Sequence, residues 1–354
     1  MENNIYWKHK YDYFFKSMNK EYLILNGDYD WYKEYLRVIG FDYWYAIHIN
    51  VSILCLNKYR IRIIPKEIGN LINLIELDLS NNNIEEIPKE IGKLINLKNL
   101  KLYSNNIKKI PKEISNLTNL KVLNIHDNFI KKIPKEISNL INLTELDLST
   151  NFIKKIPKEI RNLINLIELD LSMNFIKKIP KEISNLINLT ELDLSMNFIK
   201  KIPKEIGNLI NLDRIVLRKN KIVKIPKEFG NLTKLILLDF SNNEIKKIPK
   251  EFGNLINLTE VLLSQNNIVK LPKEISNLIN LTDLEIYNNN ITNYPKEFID
   301  LIKFRGNELC VYADYNCNSN SDYIIISHYS YDNFCYDFDN SCYDFDSDDS
   351  DFDG

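Results

Sequence analysis

PKEISNLINLTELDLSTNFIKKI, Pro134 to Ile156, sets the period on which most of the chain is built. The units that begin at Pro157 and Pro180 repeat it almost letter for letter. All eleven prolines fall on the same 23-residue spacing, from Pro65 to Pro295. A fixed period of this length marks a solenoid, in which each unit is one turn and touches only its neighbours.

Within the unit, Leu143, Leu146 and Leu148 alternate with polar residues, which predicts a short strand with one buried face. Ile153 and Ile156 follow, and Ile-Pro-Lys-Glu then breaks the strand. Proline fixes φ and suits the start of a short helical turn, where Glu159 and its equivalents place a negative charge. The apolar side chains of one turn cannot offset the entropy of ordering its backbone, so turns must stack. An asparagine two residues before Ile153 recurs from Asn82 to Asn289, at Asn151, Asn174 and Asn197 in the central units. A polar amide held at one register in an apolar unit has to be hydrogen-bonded, and bonding to the backbone of adjacent turns satisfies it.

The pattern LxxLxLxxNxI followed by xxIPKEI resembles the leucine-rich repeat, in the 23-residue class of Ras-group-related and scribble-like intracellular scaffolds. The resemblance covers about Val51 to Phe304. It implies an α/β, right-handed solenoid, a curved horseshoe with a parallel sheet on the concave face. The Lys, Asn and Ile bias also resembles leucine-rich repeat proteins of large amoeba-infecting DNA viruses.

Three regions follow. Residues 1–50 carry all three tryptophans and many Tyr and Phe, and Asp30 to Ile39 reads as a short helix. This region is expected to cap the first turn, with a separate aromatic-rich module as the alternative. Residues 51–309 form about eleven turns. Tyr59 replaces the ladder asparagine in the first, and after Pro295 the pattern decays, with Phe298, Leu301 and Phe304 still in register. Leu309 is expected to open a last partial strand. Residues 310–354 form an acidic tail, read as disordered, in which Tyr323 to Ile326 is a possible edge strand.

The net charge of −2 hides an asymmetry. From Gly306 onward there are eleven Asp, one Glu and no Lys or Arg, so residues 1–305 carry a net +10. The N-terminus lacks the apolar run of a secretory signal, and the most apolar stretch, Tyr43 to Leu56, is too short to span a bilayer. Five cysteines without such a signal point to free thiols in a reducing, intracellular, cytoplasmic setting. Cys310, Cys317, Cys335 and Cys342 lie too far apart for the usual zinc spacing.

No phosphate loop, no nucleophile with a base at a recognisable spacing and no cofactor motif occurs. His126, beside Asp127 and Asn124, is the one histidine on the repeated sheet and reads as a surface contact rather than a general base. An enzyme is not expected. Binding surface is abundant. The concave residues of the central units, Glu145 and Asp147, Glu168 and Asp170, Glu191 and Asp193, should form an acidic strip, opposed by lysine pairs such as Lys154 and Lys155. Copies that depart from the repeat are read as free for recognition: Tyr103, His126, Arg214, Arg218 and Tyr287. Phe129, Phe152, Phe175 and Phe198 follow the ladder asparagine in four successive units, as either a partner site or a stacked ladder. The expected function is a monomeric scaffold binding an unidentified protein, by analogy a small GTPase or signalling protein. Polyanion binding along the lysine edge is the alternative, and the acidic tail is a candidate to fold back there.

Overall fold

The computed structural model describes residues 51–313 together with the strand Leu23–Ile24. The described strands form one sheet of thirteen, each paired in parallel with the next in sequence. The register is set by the repeat: Glu145, Glu168 and Glu191 are direct partners, as are Asp147, Asp170 and Asp193. In the central unit only Glu145–Asp147 of the expected Leu143–Leu148 stretch is strand. The fold is the expected α/β leucine-rich repeat solenoid.

Each turn returns by the same route. The residue before the ladder asparagine has positive φ, 51° at Thr150, 52° at Met173 and 53° at Met196, which bends the chain out of the sheet. The chain then runs to Pro157, Pro180 or Pro203, whose carbonyl accepts the first bond of a 3-10 helix such as Lys158–Asn162. Proline therefore stands just before the helical turn, as its cap, rather than inside it. Leu140, Leu143, Leu146, Leu148, Ile153 and their equivalents fill one continuous core along the whole solenoid.

The ladder asparagines are buried and saturated. Asn151 donates through Nδ2 to the carbonyls of Ile125, Leu148 and Ser149 at 3.0–3.2 Å, and its Oδ1 accepts from Ile130 N–H at 2.9 Å. Asn174 and Asn197 repeat this pattern one turn at a time. A second row, at Asn96, Asn119, Asn142, Asn165 and Asn188, donates to the carbonyl 24 residues earlier at 2.8–2.9 Å on the exposed side of the coil.

The ends differ from the middle. Tyr59, in the ladder position of the first turn, is buried, and burial pushes its phenol up to about 12. After Pro295 the 3-10 turn becomes an α-helix, Lys296–Arg305. Phe298, Leu301 and Ile302 share its buried face, but Phe304 does not follow the apolar register and is 85% exposed. Its place six residues after Phe298 falls on the far side of a 3.6-residue helix. Gly306, at φ 54°, ends the helix, and Cys310–Tyr312 adds the last parallel strand, three residues into the stretch assigned to the tail. The Asp30–Ile39 helix, the Tyr323–Ile326 strand, the remaining tail and Cys317, Cys335 and Cys342 lie outside the described residues.

Candidate protein-binding surface

Between the strand leucines, side chains of the central units stand on the open face of the sheet in two columns. Glu145, Glu168 and Glu191 form one; Asp147, Asp170 and Asp193 form the other. With parallel strands ~4.8 Å apart, Glu168 and Asp170 face their own copies on both sides, and the outer members of each column on one side. The columns line a shallow depression of about 160 Å³, completed by Arg214 and Val216.

The aspartates have a second task. Asp147 Oδ1 accepts from the backbone N–H of Ser149 at 3.0 Å and from its hydroxyl at 2.7 Å. Asp170 and Asp193 accept the same backbone bond from Ser172 and Ser195 at 2.8 Å. The Asp-Leu-Ser triplet thus pins the bend at the strand end, and it leaves one carboxylate oxygen for the groove. Burial and the neighbouring Asp193 charge push Asp170 up to about 6, against the Ser172 bonds. Burial, then Glu168, likewise raises Glu145. Asp147 differs: burial opposes ionisation, but hydrogen bonds from His126 and Ser149 outweigh it and hold the carboxyl below its usual range.

The departures from the repeat turn out to border these columns. His126 Nδ1 lies 2.8 Å from Asn124 Oδ1 and 3.1 Å from Asp147 Oδ2. Both are acceptors, so Nδ1 carries the proton. The Asp147 bond raises the His126 pKa against the cost of burial. Tyr103 stacks on the His126 ring, centroids 4.7 Å apart and planes within 7°. On the other flank Arg214 Nη1 reaches Glu191 Oε2 at 3.7 Å. One unit before the Tyr103–His126 stack, Lys101 Nζ meets Glu76 Oε1 at 3.2 Å. Tyr103, His126 and Arg214 are thus each engaged with a neighbouring turn. Arg218 remains exposed and its charge acts on Asp239. Tyr287 is half-buried, four strands from the depression's acidic columns.

On the edge beyond the ladder asparagines, Phe129, Phe152, Phe175 and Phe198 form a continuous stack with centroids 5.6–5.8 Å apart. Lys221 takes the fifth place in the row, its Nζ 5.4 Å from the Phe198 centroid. The stack is a ladder, and each ring is still 36–44% exposed. Alongside it stand the exposed pairs Lys131–Lys132, Lys154–Lys155, Lys177–Lys178 and Lys200–Lys201.

Two features escaped sequence reasoning: the Asp-x-Ser bond and the outer asparagine row. Both had a signal, since Asp-Leu-Ser and Asn-Leu-Ile-Asn-Leu recur on the same period as the prolines. Among the described residues no group of His, Cys, Asp and Glu is arranged to hold a metal ion, and no helix is long and apolar enough to cross a membrane.

The family model for a leucine-rich repeat region matches residues 49–126, 89–198 and 181–264. Among solved structures, a leucine-rich repeat protein of Leptospira interrogans is 37% identical with a TM-score of 0.66, over 76% of this chain and 73% of that one. The plant peptide hormone receptor RGFR1, solved in complex with RGF2, is 30% identical with a TM-score of 0.61. That alignment covers 75% of this chain and 48% of the receptor. An internalin of Listeria monocytogenes, 23% identical with a TM-score of 0.60 over 77% of this chain and 83% of its own, shares the fold. No curated protein sequence is significantly similar. The 23-residue period, the buried asparagine ladder and the parallel sheet thus meet a matching family model, and the chain belongs to the leucine-rich repeat family.

Proposed function

We propose that this protein is a non-catalytic interaction scaffold that holds a basic segment of a partner protein against the acidic columns of its concave face. The observation that carries this reading is the register of Glu145, Glu168 and Glu191 beside Asp147, Asp170 and Asp193. Six carboxylates converge on one depression, and burial with mutual repulsion raises Asp170. Like charges held this way are relieved by a cation, so a lysine or arginine entering the groove meets a surface that already favours it. His126 and Arg214 bound the columns, so the basic segment is positioned between them. The likeness to a peptide hormone receptor supports a peptide-like ligand, and the likeness to Ras-group-related and scribble-like scaffolds supports an intracellular signalling partner, a small GTPase among them. The compositional likeness to repeat proteins of amoeba-infecting viruses supports a host-cytoplasmic setting, and the scaffold is taken to act as a monomer.

The test uses a fluorescent peptide of alternating Arg and Gly at physiological salt, read by anisotropy. Replacing Glu145, Glu168 and Glu191 together by Gln should weaken binding about tenfold or more, since exposed charge contacts add up over three sites. Neutralising Lys154, Lys155, Lys177 and Lys178 should leave it unchanged or stronger. A triple Gln variant that binds the peptide as tightly as the native chain would overturn this reading, and tight, salt-sensitive binding of a poly-aspartate peptide lost on neutralising those lysines would favour the polyanion reading.

A further inference from the structure

The lysine edge has a built surface of its own, independent of the concave groove. Phe129 to Phe198 stack into a ridge whose outer faces stay open to solvent, ended by Lys221 over the last ring. After Phe152, Ile153 is buried and Lys154 and Lys155 are exposed, so exposed ring and exposed ammonium groups flank one buried residue. Repeated over four units, this gives a row of rings parallel to a row of ammonium groups. The recorded ion pair of this lysine row, Lys108 with Glu85 at 3.4 Å, falls one turn before the rings begin. Aromatic rings beside cations that have no ion-pair partner among the described residues suit a segment that carries aromatic rings and carboxylates together.

The chain contains such a segment. Asp-Phe-Asp occurs three times near the C-terminus, at Asp337–Asp339, Asp344–Asp346 and Asp351–Asp353, with the phenylalanines seven residues apart. In the first two copies a tyrosine precedes the triplet, at Tyr336 and Tyr343. An extended chain sends alternate side chains to opposite sides. Tyr336 and Phe338 would then face one way about 7 Å apart, close to the 5.6–5.8 Å spacing of the ridge rings, and the copy at Tyr343, seven residues on, has the opposite parity and engages as a separate unit. The described residues end at Ala313, beside the last strand. That strand lies five inter-strand steps from Glu191–Asp193, which precedes Phe198, and eight from Val122–Asn124, which precedes Phe129. At ~4.8 Å per step these are roughly 24 and 38 Å. The 22 residues between Ala313 and Tyr336 can span up to about 70 Å, so the segment reaches the whole ridge.

We propose that one Asp-Phe-Asp copy of this chain's 336–353 segment at a time docks in cis along the Phe129–Phe198 ridge, with its aromatic side chains on the rings and its aspartates beside the flanking lysines. The occupied edge is thereby closed to outside polyanions, and only the concave face is left open to partners.

Zero-length carbodiimide cross-linking of the full chain tests this, with a mixture of isotope-labelled and unlabelled protein to separate bonds within one chain from bonds between two. The expected result is cross-links from Asp337–Asp353 to the lysines of the four Phe-bearing units, all within one chain. A variant with Phe338, Phe345 and Phe352 changed to Ser keeps every charge, and should lower the cross-linked fraction about tenfold. Cross-links spread evenly over lysines of all units would overturn the proposal. So would bonds found only between chains, which assign the ridge to a second copy, or a Phe-to-Ser variant that cross-links as well as the native chain.

Discussion

In the block Pro134–Ile202 the core, ladder and groove side chains are the same from unit to unit and stack on their own kind, whereas at its flanks the groove side chains meet something different. Like-on-like stacking favours amides, leucines and rings: Asn151, Asn174 and Asn197 share backbone carbonyls, and Phe152 and Phe175 stack at 5.6 Å. The same stacking sets carboxylate on carboxylate, and Asp170, with an aspartate on both sides, is driven up to about 6. Where the repeat changes, the repulsion ends. His126 meets Asp147 on one flank and Arg214 meets Glu191 on the other. Duplication thus stabilises the core and concentrates charge on the open face, and the divergent units bound that charge.

The comparison can be broken most forcefully at the core ladder. Asn174→Ala removes donors to three carbonyls and the acceptor of Ile153 N–H, all buried, and should cost about 3–5 kcal/mol. Asn142→Ala in the outer, exposed row should cost less than about 1 kcal/mol. Guanidinium midpoints of the two variants decide it; equal shifts would make the buried ladder no more than a solvated one.

Gly207 lies in the first unit after the block, where the block itself carries Ser138, Arg161 and Ser184. A Cβ on Gly207 would sit 2.2 Å from the Glu228 carbonyl oxygen, so Gly207→Ala should lose about 1–3 kcal/mol. Thermal melting reads the loss, and an unchanged Tm would show that adjacent turns can separate freely there.

Asp147 and Asp170 hold equivalent positions and should answer oppositely to the same change. Charged Asp170 costs stability because its folded pKa is raised, a cost relieved as pH falls from about 6 toward 4. Asp170→Asn keeps the Ser172 bond and should stabilise by about 1–2 kcal/mol at neutral pH, with no gain at pH 4. Asp147 has its pKa lowered, so its contribution is present above the ordinary carboxylate range and lost as pH falls. Asp147→Asn should therefore destabilise at neutral pH. His126 has its pKa raised, so its part of the pair is lost as pH rises through that value. Denaturation of both variants at pH 4 and 7 checks the signs.

The smallest effect is expected at the strand-end bend. Thr150, Met173 and Met196 hold positive φ in the block, while Asn81, Asn242 and Asn288 do so outside it. Asparagine tolerates this region better than a β-branched residue. Thr150→Asn should stabilise by about 0.5–1 kcal/mol in the same denaturation assay.

Much of this molecule was legible from sequence because stacking partners stand 23 residues apart from Ile53–Cys55 to Asp283–Glu285. Pairing of Glu145 with Glu168, burial of Asn151 and the adjacency of Phe152 and Phe175 all follow from that one number. Phe304 was misplaced because a 3-10 turn and an α-helix project the same sequence differently, and local pattern does not choose between them. The engagement of Tyr103, His126 and Arg214 was not legible either. The period brings His126 near Asp147, but whether a ring nitrogen and a carboxylate meet at 3.1 Å depends on rotamers and on the Asn124 and Ser149 bonds around them. Sequence alone determined the period and, within the regular repeats, the strand register and which residues are buried, since these need only a repeating apolar spacing. The tertiary structure alone decided which charges are paired and which repel, because Coulomb energies and desolvation turn on ångströms that a spacing does not contain.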